Sequence, residues 1–242
     1  MHLRFLPLIR SIFVGIFLIE GIIFHVSGHA MPRSLDIHET VPEILTLTPL
    51  VRDESMVRYV SRDIALDDPT YRPHDLVPIA SEYIDEKGRQ SELRSTANDA
   101  LQALAYAFYE HFRQKLIVVS AYRSADYQAR LWDLGRCTDT LCAPPWQSEH
   151  QLGLAIDIFE TSTEADFFAR EKYPEYFAWM QENAHLYGFI QSYKNGIAVD
   201  GYEVEPWHWR YVGTDLSMKL SLLDWNLTQY RSFLLLLGKY SE

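Results

Sequence analysis

Two short segments of the sequence carry side chains whose types and spacing suit metal chemistry. In the first, Ser148-Glu149-His150-Gln151-Leu152-Gly153-Leu154-Ala155-Ile156-Asp157, a histidine precedes a glycine turn and an aspartate follows it. Side chains of a strand repeat every two residues, so Ala155 and Asp157 share a face. An aspartate between Ile156 and Ile158 is costly to bury unless something cationic neutralises it. A metal ion would do so; a partner Arg or Lys, or exposure to water, would remove the cost equally well.

The second segment is Glu203-Val204-Glu205-Pro206-Trp207-His208-Trp209-Arg210-Tyr211-Val212-Gly213. Here His208 and Arg210 fall on one face of a strand, and Trp207, Trp209 and Tyr211 on the other. Alone, a histidine among tryptophans reads as a hydrogen-bonded core residue. Taken together, two imidazoles and a carboxylate form a ligand set suited to zinc, with a fourth position open for water. A glutamate that is not a ligand can accept the proton of that water. Both Glu203 and Glu205 are near enough in sequence to do so.

Several elements must position these residues. Leu93 to Phe112 is rich in helix formers, with Leu101, Leu104, Ala105 and Phe108 on one face. Leu116 to Val119 reads as a buried strand, and Ser124 can cap a helix from Ala125 to Leu134 that stops at Gly135. Leu154 to Phe159 and Trp207 to Val212 read as strands, Pro174 to Tyr187 as a helix, and Asp215 to Leu237 as mostly helical. Mixed elements without strict βαβ alternation predict an α+β fold: one domain, with a mainly antiparallel central sheet flanked by helices and bearing the zinc site.

The bulk of the chain agrees with one globular domain plus an appendage. Of its 242 residues, 48% are hydrophobic and 23% charged, which excludes a disordered chain. A formal charge of −11 disfavours nucleic acid as a partner. His2, Arg4 and Arg10 precede an apolar run from Ile12 to Val26, and Gly28-His29-Ala30 offers small residues for cleavage. Residues 1–30 thus read as a signal peptide or an uncleaved membrane anchor, and either places the body outside the cytoplasm, in the cell envelope. In that oxidising setting the closely spaced Cys137 and Cys142 are expected to pair. Residues 31–73, aperiodic and marked by scattered prolines, read as a linker or stalk, leaving 74–242 as the catalytic domain.

His150-x-x-Gly153-x-Ala155-x-Asp157 followed by Glu205-x-Trp207-His208-x-Arg210-Tyr211-Val212-Gly213 resembles the VanY-like metallo-D-alanyl-D-alanine carboxypeptidases, with L,D-carboxypeptidases as close relatives. Ser120-Ala121-Tyr122-Arg123-Ser124 with Gln128 is similar to a third motif of that family. Weaker likenesses lie in Asp75-Leu76-Val77-Pro78, Asn183-Ala184, Tyr187-Gly188-Phe189 and Leu227-Thr228. The resemblance implies that His150, Asp157 and His208 hold Zn2+ and that Glu205, rather than Glu203, is the general base. It further implies that Arg123 steadies the oxyanion, that Ser148 and Gln128 contact substrate, and that Tyr122 and Trp207 wall the pocket. The implied substrate is a peptidoglycan stem peptide losing its C-terminal D-alanine. An L,D-carboxypeptidase, a cross-link endopeptidase and a non-catalytic zinc-stabilised module are the alternatives. Nothing in the sequence points to an obligate protein partner.

Overall fold

The computed structural model describes residues 48–161 and 163–238. The expected leader or anchor, and the first part of the expected linker, lie outside the described residues. After α1 (Thr48–Val51) come β1 (Leu76–Pro78), β2 (Ile84–Asp85) and β3 (Glu92–Arg94). Next are α2 (Ser95–Phe112), β4 (Leu116–Ser120), α3 (Ala125–Asp133), β5 (Ala155–Ile158), α4 (Glu164–Ala169) and α5 (Tyr173–Asn183). The order ends with β6 (Phe189–Gln191), α6 (Ile197–Asp200), β7 (His208–Tyr211), α7 (Thr214–Leu223) and α8 (Leu227–Leu236). A two-stranded sheet pairs β1 with β3, and a five-stranded sheet runs β2-β4-β5-β7-β6. Only its β2–β4 pair is parallel, so the α+β class and the mainly antiparallel sheet are as expected.

The apolar stripe of α2 explains how the sheet is held. Ala97, Leu101, Leu104, Ala105 and Phe108 recur at helical spacing and pack with Leu116 and Val118 of β4 and Ile156 and Ile158 of β5. The helix stops at Arg113, whose φ of 54° is left-handed. Ser124 caps α3 as expected, its Oγ accepting from the Tyr127 amide at 3.2 Å.

Three boundaries differ from the sequence reading. Leu93 pairs with Val77 in the small sheet rather than starting α2. α5 gives way to a 3₁₀ turn over Ala184–Tyr187, which closes at Gly188 with φ 85°. A Cβ there would stand 2.5 Å from the Tyr211 ring, so glycine is required. The C-terminal helical stretch breaks at Asp224, and Asn226 starts α8 in a reciprocal capping box with Gln229.

The linker reading does not hold over the described part of 31–73. Leu50, Tyr59, Val60, Leu66 and Tyr71 are buried. Leu50 and Tyr59 join Ile190, Val212, Leu216, Leu220 and Leu234 in a second core. Arg58 is buried too, donating to Asp53 Oδ1 at 2.9 Å and to the carbonyl of Ala65 at 2.6 Å. This stretch packs through single anchors and side-chain-to-backbone bonds, which leave no periodic pattern to read. Among the described residues, no helix is long and apolar enough to cross a membrane.

Leu50→Ala is therefore expected to cost about 2–5 kcal/mol in denaturant unfolding of the full chain. A stalk residue would change stability by less than about 0.5 kcal/mol.

Candidate metal centre and active site

Register brings two of the predicted ligands together. Asp157 lies directly opposite His208 in the β5–β7 pair. Opposed residues share a face of the sheet, and His208 Nδ1 stands 3.0 Å from Asp157 Oδ1. His150 reaches the same carboxylate from a 3₁₀ turn, Glu149–Leu152, which Ser148 caps through its Oγ. Gly153 ends that turn at φ 64°; a Cβ there would meet Leu76 Cδ2 at 2.8 Å. The turn delivers His150 Nε2 to 3.2 Å from Asp157 Oδ2.

The donor set fits a tetrahedral cation. His150 Nδ1 lies 2.6 Å from the Ala121 carbonyl, which assigns its proton to Nδ1 and leaves Nε2 as a lone-pair donor. That Nε2 is buried and makes no hydrogen bond. The ligand atoms of His150, Asp157 and His208 all lie within 4.8 Å of one another. Ligands at zinc distances of about 2.0–2.1 Å in a tetrahedron are themselves about 3.3 Å apart, close to the separation of each imidazole from its nearer Asp157 oxygen, Oδ1 for His208 and Oδ2 for His150.

These three line a cavity of about 250 Å³ with Arg123, Ser148, Glu205 and Trp207. Glu205 Oε2 is 3.7 Å from His208 Nδ1. The Arg123 guanidinium reaches 4.0 Å from Asp157 Oδ2, and its buried Nε lacks a hydrogen-bond partner. Glu203, the rival base, is instead exposed and accepts a 2.6 Å bond from Thr140 Oγ1. Gln128 and Tyr122 are not brought to the cavity. Buried Gln128 donates to the Ala143 carbonyl at 2.7 Å, while the Tyr122 ring carries the Arg72 guanidinium at 5.1 Å.

Gln128 and Glu203 hold a wall of the cavity rather than line it. Cys137 and Cys142 form a disulfide, and Arg136, Leu141 and Cys142 of its loop face the cavity. Trp132 Nε1 donates to the same Ala143 carbonyl at 3.0 Å, so α3 clamps the loop on one side. The Thr140–Glu203 bond pins the other.

Sequence reasoning missed Glu149 and Tyr193. Glu149 Oε2 accepts from His208 Nε2 at 2.9 Å, and the Tyr193 ring lies 4.7 Å from the His208 ring. The position of Glu149 beside His150 was visible; its service to the other histidine depends on strand register.

Electrostatics divide these groups. Burial, with Arg123 nearby, pushes His150 down to about 4, so it is neutral at pH 7. For His208, burial pulls downward, but the hydrogen bonds to Asp157 and Glu149 outweigh it and raise the value to about 10. Burial would raise Asp157, yet the two histidines hold it well below the usual carboxylate range. Burial, reinforced by the Asp157 charge, lifts Glu205 to about 8.

With any metal chelated away, these shifts set a direction for stability. His208 keeps its proton when folded up to about 10, against 6.5 as a free side chain. Its contribution is complete below about pH 6.5 and lost as pH rises through 10. Glu205, also raised, adds a loss over the lower part of that range, up to about 8. Melts of the chelated chain should therefore fall from pH 6.5 to 10, and an unchanged or rising melting temperature would contradict the assignment.

Residues 90–214 match the model of the VanY family, D-alanyl-D-alanine carboxypeptidase. The chain is 34% identical over 192 residues to YodJ of Bacillus subtilis (strain 168), whose designation as a carboxypeptidase is itself provisional; the match covers 76% of this chain and 70% of that one. It is 34% identical over 127 residues to the bifunctional D-Ala-D-Ala dipeptidase and D-Ala-D-Ala carboxypeptidase VanXYC of Enterococcus gallinarum. That match spans 48% of this chain and 66% of the relative, just short of two thirds. Among solved structures, the LdcB LD-carboxypeptidase, described for its peptidoglycan recognition, has a TM-score of 0.64 at 34% identity. The match covers 74% of this chain and 87% of that one.

Proposed function

The chain belongs to the VanY family of D-alanyl-D-alanine carboxypeptidases, and from that premise we propose that it is a zinc-dependent hydrolase releasing C-terminal D-alanine from peptidoglycan stem peptides. The observation that carries the reading is the convergence of His150, Asp157 and His208 on one cavity that Glu205 also lines. Zinc, when bound by these three residues, supplies the Lewis acidity that activates water and polarises the scissile carbonyl.

The chain's own residues do the rest. Glu205 takes a proton from the attacking water as its oxygen bonds to the carbonyl carbon. Arg123 donates to the carbonyl oxygen as negative charge develops there. The C–N bond then breaks, and Glu205 returns the proton to the leaving amine. Asp157 and the two histidines stay fixed by the hydrogen bonds described above. Ser148 and Trp207, which line the same cavity, are the substrate contacts of this reading. Its substrate lies in the cell envelope, which agrees with an exported or membrane-anchored chain.

The family description and the named activities of VanXYC favour the D,D-carboxypeptidase. The likeness to LdcB favours an L,D-carboxypeptidase as the second reading. The two differ in the substrate cut, a pentapeptide or a tetrapeptide, and share every residue role above.

The test is mass spectrometry of muramyl pentapeptide and tetrapeptide incubated separately with the zinc-loaded chain. Loss of one alanine is expected from one of them. Glu205→Gln should lower kcat by about 10²–10⁴ while zinc is still bound. No mass change with bound zinc would move the reading to a cross-link endopeptidase or a binding module.

A further inference from the structure

Glu149 is a buried carboxylate that the reaction above does not use. It is 3% exposed, and three side chains from other parts of the chain converge on it. Its Oε2 accepts from His208 Nε2 at 2.9 Å and from Ser192 Oγ at 2.7 Å. Its Oε1 lies 3.5 Å from Arg210 Nη1. We infer that Glu149 is the positioning residue for His208, holding the imidazole so that Nδ1 faces the metal centre and Nε2 carries the proton.

The distances favour this role over simple neutralisation of Arg210. An arginine–carboxylate pair formed for its own sake is commonly bidentate, at about 2.7–2.9 Å. Here Arg210 Nη1 makes no hydrogen bond at all. The two shorter contacts, to His208 and Ser192, set the orientation of the carboxylate. Arg210 offsets its charge from a short distance away. That guanidinium is completely buried and is itself fixed by backbone carbonyls, Nε to Tyr211 at 2.9 Å and Nη2 to Met56 and Arg58 at 3.2 Å each. A chain of support thus runs from the N-terminal irregular stretch through Arg210 and Glu149 to His208.

The two histidines are oriented by different means. His150 donates to a backbone carbonyl, the Ala121 oxygen, and His208 to a carboxylate. Both arrangements commit a proton to the nitrogen turned away from Asp157, so the nitrogen facing Asp157 is the one a metal ion would take. A carboxylate partner also raises the basicity of the imidazole it holds, so its removal weakens metal binding by about 10–100-fold.

This inference rests on the reading of His208 as a zinc ligand, and the measurement separates the two. Zinc dissociation constants of the full chain are determined by competition with a chromogenic chelator, for wild type, Glu149→Gln and Ser192→Ala. Apo melting temperatures are recorded in parallel. A 10–100-fold weaker constant for Glu149→Gln, with a smaller shift of the same sign for Ser192→Ala, is the expected result. A lower apo melting temperature with an unchanged constant would mean that Glu149 only balances Arg210, and would overturn the inference. A wild-type chain that binds no zinc would overturn the metal-site reading itself. A long-range ¹H–¹⁵N spectrum of the zinc-loaded wild type decides even where Glu149→Gln does not fold. The proton of His208 is expected on Nε2, and a proton on Nδ1 would sink the proposal.

Discussion

The pairing of Asp157 with His208 across β5 and β7 is the constraint on which the site depends. A carboxylate placed in an apolar strand is tolerated here because two imidazoles meet it, one from the facing strand and one from the turn before its own. Strand pairing has a side-chain period of two, so a slip of one residue would turn Asp157 or His208 to the other face. The flanking apolar residues resist that slip. Ile156 and Ile158 are fully buried in the α2-side core, and a shifted register would expose them.

Around that pair the protein spends regular structure where rigidity is needed and irregular structure where a group must be aimed. Gly153 allows the sharp turn that brings His150 onto the ligand face while its carbonyl accepts from the Arg94 amide at 2.9 Å. The disulfide loop is held between α3 and Glu203, so the cavity has a wall without a further helix or strand. Residues 48–72 supply the carbonyls that fix Arg210 and apolar anchors for the second core. A segment lacking periodicity is thus part of the support of the candidate metal centre.

The pKa pattern follows from the same burial. Groups equally cut off from water separate according to their partners: His208, between two carboxylates, is raised, whereas His150, beside Arg123, is lowered. Glu205 has weak compensation at 3.7 Å from His208 and is raised by burial. Such divergence among neighbouring titratable groups in a cleft is typical of functional sites.

Much of this was legible in the residues themselves. The ligand types, their flanking glycine and alternating strands, the stripe of α2 and the Ser124 cap are local patterns with periods of two or 3.6, which a single chain displays without reference to its fold. The residue types alone left Glu205 and Glu203 open, since both lie near His208 in sequence; the family resemblance favoured Glu205, and of the two it is Glu205 that lines the cavity. Gln128, on α3, and Tyr122, just after β4, lie beside the cavity rather than in it for a related reason: such a side chain can turn toward a site or toward a neighbouring segment, and the neighbours decide. The packed stretch from Leu50 to Tyr71 was hidden because isolated anchors leave no period. Glu149 was in plain view, but its contact with His208 joins residues 59 apart in sequence and exists only once β5 and β7 are in register. The sequence by itself determined the chemistry available, and the tertiary structure alone decided which groups meet, since burial and cross-strand register are properties of the folded chain.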